Sequence, residues 1–389
     1  MKTKRLNILF ITHWYPTKAH LYGGVFVREY AKAVQANHNV VVLHLGVVDP
    51  KTQRWWCTQE ESDENLTDGV PSYRAAYRAV PIRGCSWPLY WVSVMRAVTA
   101  MSKIHGPFHL VHAHVFNTGL AALLIGRWYR IPVVISEHAS AYARGGLSWF
   151  EVRQARQVFR RADAVLPVSH ALQSAMRQHG INAQFQVMPN TINTNLFRFE
   201  HYSPAPDGTI RILSVSSFVP YKGLAILLRA LSQVAWRGRP WRLEAVGGQP
   251  GPSQDQHQQM VEELGLASHV TFHGMLQKHD VARLMRAVDF FVLPSLVETF
   301  SVATAEALAS GLPVLVTRCG GPEGFVEEQC GLLVPPADAT ALAEGLTKML
   351  DHLATYNRAR IARSARERFG YQSIAAELDE VYSRVLGAN

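Results

Sequence analysis

Residues 294–314 read PSLVETFSVATAEALASGLPV. They begin inside DFFVLPS (289–295), a short apolar run of the kind that forms a strand covered on both faces. The turn LVETF puts Glu298 at the carboxyl end of that strand. Ser301 is a good helix N-cap, and Val302, Ala305, Leu308 and Ala309 form an apolar stripe. Gly311 and Pro313 stop the helix. Glu306 falls about one and a half turns into it. The N–H groups at a helix start favour phosphate, and carboxylates accept hydrogen bonds from hydroxyls. Many hydroxyls beside a diphosphate describe a nucleotide sugar, with Glu298 on the sugar and Glu306 on the ribose. Two carboxylates also suit glycoside hydrolysis, which needs no second phosphate-friendly domain.

Working outward, the strand-then-helix alternation recurs along the chain. Strand candidates in the first half are LNILFIT (6–12), NVVVLHLG (39–46), LVHAHV (110–115), PVVISEH (132–138), AVLPVS (164–169) and FQVMP (185–189). In the second half they are IRILSVSSF (210–218), WRLEAVGG (241–248), VTFHGML (270–276), DFFVLPS, PVLVTRC (313–319) and GLLVPP (331–336). Near-continuous Val, Leu and Ile runs alternating with helices predict parallel, doubly wound sheets. The 389 residues are long for one core, and FRFEHYSPAPDGT (197–209) reads as a linker. The expected architecture is an α/β chain of two Rossmann-like domains, 1–199 and 200–369, facing across a cleft. Residues 370–389 form an amphipathic helix, with Ile374, Leu378, Val381, Tyr382 and Val385 on one stripe, expected to pack back on the N-terminal domain.

Charge is uneven. Residues 1–199 hold 22 Lys and Arg against 10 Asp and Glu; residues 200–389 hold 17 against 20. A basic front half points to an anionic partner. No apolar run reaches the roughly 20 residues that span a bilayer. The apolar run LNILFI near the start reads as a buried strand rather than a secretion signal. Cys57, Cys85, Cys319 and Cys330 lack metal-ligand spacing, which suggests free thiols in a reducing compartment.

Ligands of doubly wound sheets bind beyond the carboxyl ends of the strands. After the first strand, Gly23 and Gly24 open a helix and would let the backbone approach an anion, or form a plain tight turn. The chain has no GxGxxG after a strand, which argues against a dinucleotide-dependent oxidoreductase. Glu137 and His138 sit at the end of PVVISEH, and HAH (112–114) at the preceding strand end. Zinc is conceivable there, but no HExxH or cysteine partner supports it. Lys222, in VPYKG, could meet a phosphate as a point charge.

The residues from Glu298 to Glu306, set in LPSLVETFSVATAEALASGLPVLVTRCGGPEGFVEEQCGLLVPPAD, resemble the E-x7-E donor signature of family 4 glycosyltransferases. These are retaining enzymes of GT-B fold. The likeness continues through VTFHGML, VPYKG, ADAVLPVSHAL and VMPNTINTNLF, and is weakest over 47–107. It implies a nucleotide-sugar site in the C-terminal half and an acceptor site in the N-terminal half. By the same likeness, Glu298 and His138 face the reacting sugar, Glu306 the ribose, and Lys222 the diphosphate. Gly23 and Gly24 approach the phosphates, Phe300 and Ser301 lie along sugar and diphosphate, and Gly274 and Met275 frame the base. Two positions depart from the pattern: Ser217 stands where an arginine is usual, and Ser301 where a glycine is usual. The implied reaction needs no cofactor and no metal, with a UDP-sugar favoured over a GDP-sugar.

Arg153, Arg156 and Arg160 fall on one helical face, and aromatics including Trp87 and Trp91 cluster where the likeness is weakest. Such a surface suits an acidic inner leaflet and a lipid-linked or saccharide acceptor, or is simply core and rim. The reading is therefore a cytoplasmic, peripherally bound hexosyltransferase of cell-surface polysaccharide or glycolipid synthesis, with no nucleic-acid partner. The alternatives are another GT-B activity, such as a sugar-nucleotide epimerase, or a basic membrane- or nucleic-acid-binding protein with an inactive donor site.

Overall fold

A computed structural model describes residues 5–18, 20–48, 55–78, 86–248 and 251–387. The chain divides into two units, residues 1–191 with 371–389, and residues 192–370.

In the first unit the strands are β1 (Asn7–Thr12), β2 (Asn39–Val48), β3 (Trp56–Glu60), β4 (Ser72–Arg78), β5 (Leu110–His114), β6 (Val133–Glu137) and β7 (Ala164–Pro167). They form one sheet in the order β3-β4-β2-β1-β5-β6-β7. Every pair is parallel except β3 with β4. Crossover helices cover both faces, so β5 and β6 are fully buried, their histidines, serine and glutamate included, and β1 is buried from Ile8 onward. The helix Tyr371–Gly387 lies against the helix Val25–Gln35. Ile374, Leu378, Val381, Tyr382 and Val385 join Val27, Tyr30 and Val34 in one core.

The second unit holds β8 (Ile210–Val215), β9 (Trp241–Val246), β10 (Val270–Gly274), β11 (Phe290–Leu293), β12 (Val314–Thr317) and β13 (Gly331–Val334). Its sheet runs β10-β9-β8-β11-β12-β13, parallel throughout. The order reverses direction between β8 and β11, which makes the carboxyl ends of those two strands a topological switch point. Residues 192–199 pack in this unit: Phe197 is buried and lies under Lys278, 5.3 Å from the ring centroid.

One local reading is corrected. FQVMP (185–189) follows β7 but makes a single bridge, Val165 with Phe185, and is not a strand. Pro167 and Pro189 have no N–H to extend the ladder. The aromatic stretch from Tyr73 belongs in part to the core. Tyr73 and Ala75 are buried on β4, and Tyr90 is buried on the helix Ser86–His105. There the arginines of SYRAAYR alternate with the buried side chains, which makes β4 a one-sided strand.

Candidate donor and sugar site

Three loops meet at Glu298. The first leaves β8, passes through a short 3-10 turn, Pro220–Lys222, and enters the helix Leu224–Gln233 at Gly223. Gly223 has φ 73°, and a Cβ there would lie 2.0 Å from the carbonyl oxygen of Pro294, in the loop after β11. Only glycine permits that approach. The Leu296 N–H then donates to the Tyr221 carbonyl at 2.8 Å, tying the two loops together. The third loop, after β12, closes on the other side. Glu298 N–H donates to Cys319 O at 2.8 Å, and Gly321 N–H to Glu298 O at 2.9 Å. A Cβ on Gly321 would lie 2.4 Å from Phe300 N. Adjacent strands β8, β11 and β12 thus clasp one glutamate.

Lys222 Nζ donates to Glu298 Oε1 at 2.7 Å, and Ser295 Oγ donates to the same oxygen at 2.9 Å. The Lys222 side chain is 20% exposed and that of Glu298 10%, so each charge is largely removed from water and each needs the other. Cys319, beneath them, has its thiol pushed up to about 12 by burial, with Glu298 adding to the effect, so it is a neutral filler.

The helix Val302–Ala309 is buried on nearly every side, Glu306 included. Glu306 is paired with Lys278, the first residue of the helix Lys278–Ala287. Sequence reasoning missed Lys278. Its signal was faint: a lysine at a helix start, four residues after Gly274. Gly274 has φ 65°, its carbonyl accepts from Gly247 N–H at 2.8 Å, and Met275 beside it is half exposed. The Phe300 ring is buried against Phe325 and Phe369, which leaves its backbone as the part that can meet a ligand. Ser301 caps its helix, accepting from Thr304 N–H, at the left-handed angles φ 72°, ψ 85°. Ser217 is exposed.

In the first unit Gly24 has φ 64°, and a Cβ would lie 2.0 Å from Trp14 O, so the turn into the helix Val25–Gln35 also requires glycine. Gly23 precedes it and donates to His20 O. Glu137, at the end of β6, accepts from the backbone N–H groups of Phe116, His138 and Ala139. Burial pushes its carboxyl up to about 7 against those three donors. His138 is buried, and desolvation lowers its ring to about 3, opposed by the Asn190 side chain. His112 is lowered to about 3, and His114 well below its ordinary value, for the same first reason. These imidazoles stack rather than converge. Among the described residues no cluster of three His, Cys, Asp or Glu is arranged to hold a metal ion.

Arg153, Arg156 and Arg160 lie on the helix Trp149–Arg161, and all three are exposed. Arg156 is also tied down, its Nε donating to His179 O at 2.8 Å. Trp91 is half-buried against Tyr90, and the side chain of Trp87 lies outside the described residues. Among the described residues no helix is long and apolar enough to cross a membrane.

Each unit is an α/β fold on a sheet that is parallel apart from β3 with β4, the architecture of GT-B proteins, and in the second unit the Lys222–Glu298 pair stands at the switch point. Residues 209–352 match the family model "Glycosyl transferases group 1", and residues 23–191 match "Glycosyl transferase 4-like domain". Together these span most of the chain. The D-inositol 3-phosphate glycosyltransferase of Corynebacterium glutamicum is 27% identical over 331 residues, covering 74% of this chain and 75% of that protein. TuaC of Bacillus subtilis, assigned as a teichuronic acid biosynthesis glycosyltransferase, is 27% identical over 88% of this chain and 89% of its own. The crystal structure of Anabaena HepE in complex with UDP has the same fold, with a TM-score of 0.76 and 22% identity, over 97% of this chain and all of that one. The chain belongs to the family 4 type glycosyltransferases of GT-B fold.

Proposed function

We propose that the protein transfers a hexosyl unit, with retention at the anomeric carbon and without a metal, from UDP-sugar to a lipid-linked or saccharide acceptor. The Lys222–Glu298 pair, held where β8 and β11 end, carries this reading. When the donor's diphosphate arrives, Lys222 moves its charge from the carboxylate to the phosphates, and Glu298 is released to accept from sugar hydroxyls. Lys278 and Glu306 repeat the arrangement at the ribose. The N-terminal turn of the helix Val302–Ala309, with the Phe300 and Ser301 backbone, lies along the sugar and diphosphate, and Gly274 and Met275 frame the base. Gly23 and Gly24 approach the phosphates, and His138 faces the sugar. With Ser217 in place of an arginine, neutralisation of the leaving diphosphate rests on the lysines and backbone N–H groups.

The bond from C1 to the diphosphate oxygen breaks, and a bond from C1 to the acceptor oxygen forms on the same face. The acceptor proton leaves on the departing phosphate. The protein's share is positioning and charge stabilisation. A UDP donor accords with the UDP in the HepE structure, and a polysaccharide acceptor with the assignment of TuaC. The basic first unit, with Arg153, Arg156, Arg160 and the aromatics near Trp91, is the surface proposed to meet an acidic membrane from the cytoplasmic side. The test is Glu298→Gln, measured for release of free UDP from UDP-sugars and for UDP affinity. Turnover falls by on the order of 10²-fold or more while UDP affinity holds. Equal loss of both refutes the assignment.

A further inference from the structure

The helix Trp149–Arg161 begins on two aromatic side chains that its packing does not use. It buries Ala155, Val158 and Phe159, in part against the helix Phe116–Tyr129. Trp149 and Phe150 point elsewhere. Trp149 is 78% exposed, the most of any large apolar side chain among the described residues, and Phe150 is 58% exposed. The start of the helix is firmly held. Ser148 and Glu151 close a capping box, and Tyr142, in the turn before, is buried against Phe116 and His179. The rings are thus a fixed tip rather than the end of a loose loop.

Charge follows the rings along the same side. Trp149, Arg153, Arg156 and Arg160 stand at i, i+4, i+7 and i+11, one stripe of an α-helix. Arg156 and Arg160 donate to neutral oxygens, of His179 and Gln157, so their charges stay uncancelled. Glu151 is the one acid of this helix, and it is spent on the cap: the Ser148 N–H and hydroxyl donate to its carboxylate at 2.8 and 2.6 Å. The helix lies in the crossover from β6 to β7, which are parallel, so it starts past the carboxyl ends of the strands and runs back to their amino ends. The aromatic tip therefore stands at the end of the unit where His138 follows β6, and the arginines trail away from it.

Two large rings left in water at the head of a cationic stripe fit the boundary of a lipid bilayer. Aromatic side chains settle there at headgroup depth, and arginines meet lipid phosphates. A polysaccharide chain fits less well, because the two ring planes lie at 88° and offer no shared flat face to successive sugars. A protein partner needs a wider apolar patch than two side chains supply. We propose that Trp149 and Phe150 form a membrane anchor, entering the interface of an acidic phospholipid bilayer while Arg153, Arg156 and Arg160 hold its headgroups. This rests on the acidic-membrane reading above and gives it an apolar contact, separate from the aromatics near Trp91. It brings the carboxyl ends of the first sheet towards the bilayer, which favours a lipid-linked acceptor over a free saccharide.

The test uses the full chain and vesicles of phosphatidylcholine with about one-third phosphatidylglycerol, sedimented at about 0.1 M salt. Wild type binds them. Trp149→Ser with Phe150→Ser weakens binding on the order of 10-fold or more, with melting unchanged. Exchanging the rings, Trp149→Phe with Phe150→Trp, keeps the binding. Lipid brominated on its acyl chains quenches the tryptophan fluorescence of wild type more than that of Trp149→Phe, because only an inserted ring reaches the bromine. Arg153→Gln with Arg160→Gln weakens binding on the order of 10-fold and flattens its dependence on salt. Wild type that ignores the vesicles or binds without regard to phosphatidylglycerol overturns the proposal. So do serine variants that bind as wild type does, or equal quenching with and without Trp149. If the serine pair lowers melting, the quenching comparison decides alone. UDP release from UDP-sugars, measured without lipid, is the same in wild type and the serine pair; a loss there makes the rings part of the transfer site and overturns the anchor. Absence of any UDP release by wild type defeats the glycosyltransfer reading instead, and leaves the vesicle result standing.

Discussion

Ser301 combines two features that oppose each other, and substitutions separate them. Its left-handed backbone, φ 72°, costs a non-glycine residue about 1–2 kcal/mol. Its hydroxyl accepts from Thr304 N–H at 3.3 Å as the helix N-cap. Ser301→Ala keeps the strain and removes the cap, a loss of about 1 kcal/mol. Ser301→Gly removes the strain, loses only a few tenths of the cap, and adds roughly 0.5–1 kcal/mol of unfolded-state entropy. The glycine variant therefore lands near wild type or slightly above it, and exceeds the alanine variant by about 1–1.5 kcal/mol. In a unit of 192–370 that difference is about 2–6 °C in melting temperature, read by urea and thermal unfolding followed by circular dichroism. Alanine as stable as glycine would show that the backbone at 301 is unstrained and that the helix entry is built otherwise.

Gly223→Ala places a methyl 2.0 Å from Pro294 O at φ 73°, so it parts the β8 and β11 loops. It should cost over about 2 kcal/mol in urea unfolding and lower UDP affinity, checked by calorimetry. Lys222→Met leaves the buried Glu298 carboxylate without its cation. About 3 kcal/mol of stability and much of the UDP affinity go with it, whereas Glu298→Gln keeps the affinity. Acid unfolding gives a further check. His112 and His138 have folded values near 3, below the ordinary 6.5, so their contribution is full above pH 6.5 and is lost as pH falls towards 3. Glu137, raised to about 7, contributes fully below about 4.5 and loses its contribution as pH rises through 7. The histidines outnumber the carboxyl, so the urea midpoint should drop between pH 6.5 and 4. A flat or rising midpoint across that window counts against neutral buried rings.

Several features were legible in the residues alone. Near-continuous apolar runs alternating with amphipathic helices demanded parallel sheets covered on both faces, because a strand buried on both sides has no polar face to alternate. The strand, turn and helix around Glu298 followed from local chemistry: an apolar run, a capping serine, and a glycine and proline beyond the end. Lys222 and Glu298 could each be singled out by position at a strand end. Their pairing could not, because 76 residues separate them and only the adjacency of β8 and β11 brings them to 2.7 Å. Lys278 was overlooked for the same reason; its partner Glu306 comes from the helix after another strand. The edge strand Trp56–Glu60 is mostly exposed and polar, so it carries almost no periodic signal.

The chain's own pattern thus determined most of the strands and helices, β3 and β4 excepted, and which residues stand at their ends, since these depend on neighbours within a few residues. Tertiary structure decided which acid meets which lysine, which tyrosines of an aromatic stretch are core, and that His138 joins His112 and His114 of the neighbouring strand in one buried row. Those are matters of strand order and burial, set by the whole unit's packing rather than by any one segment.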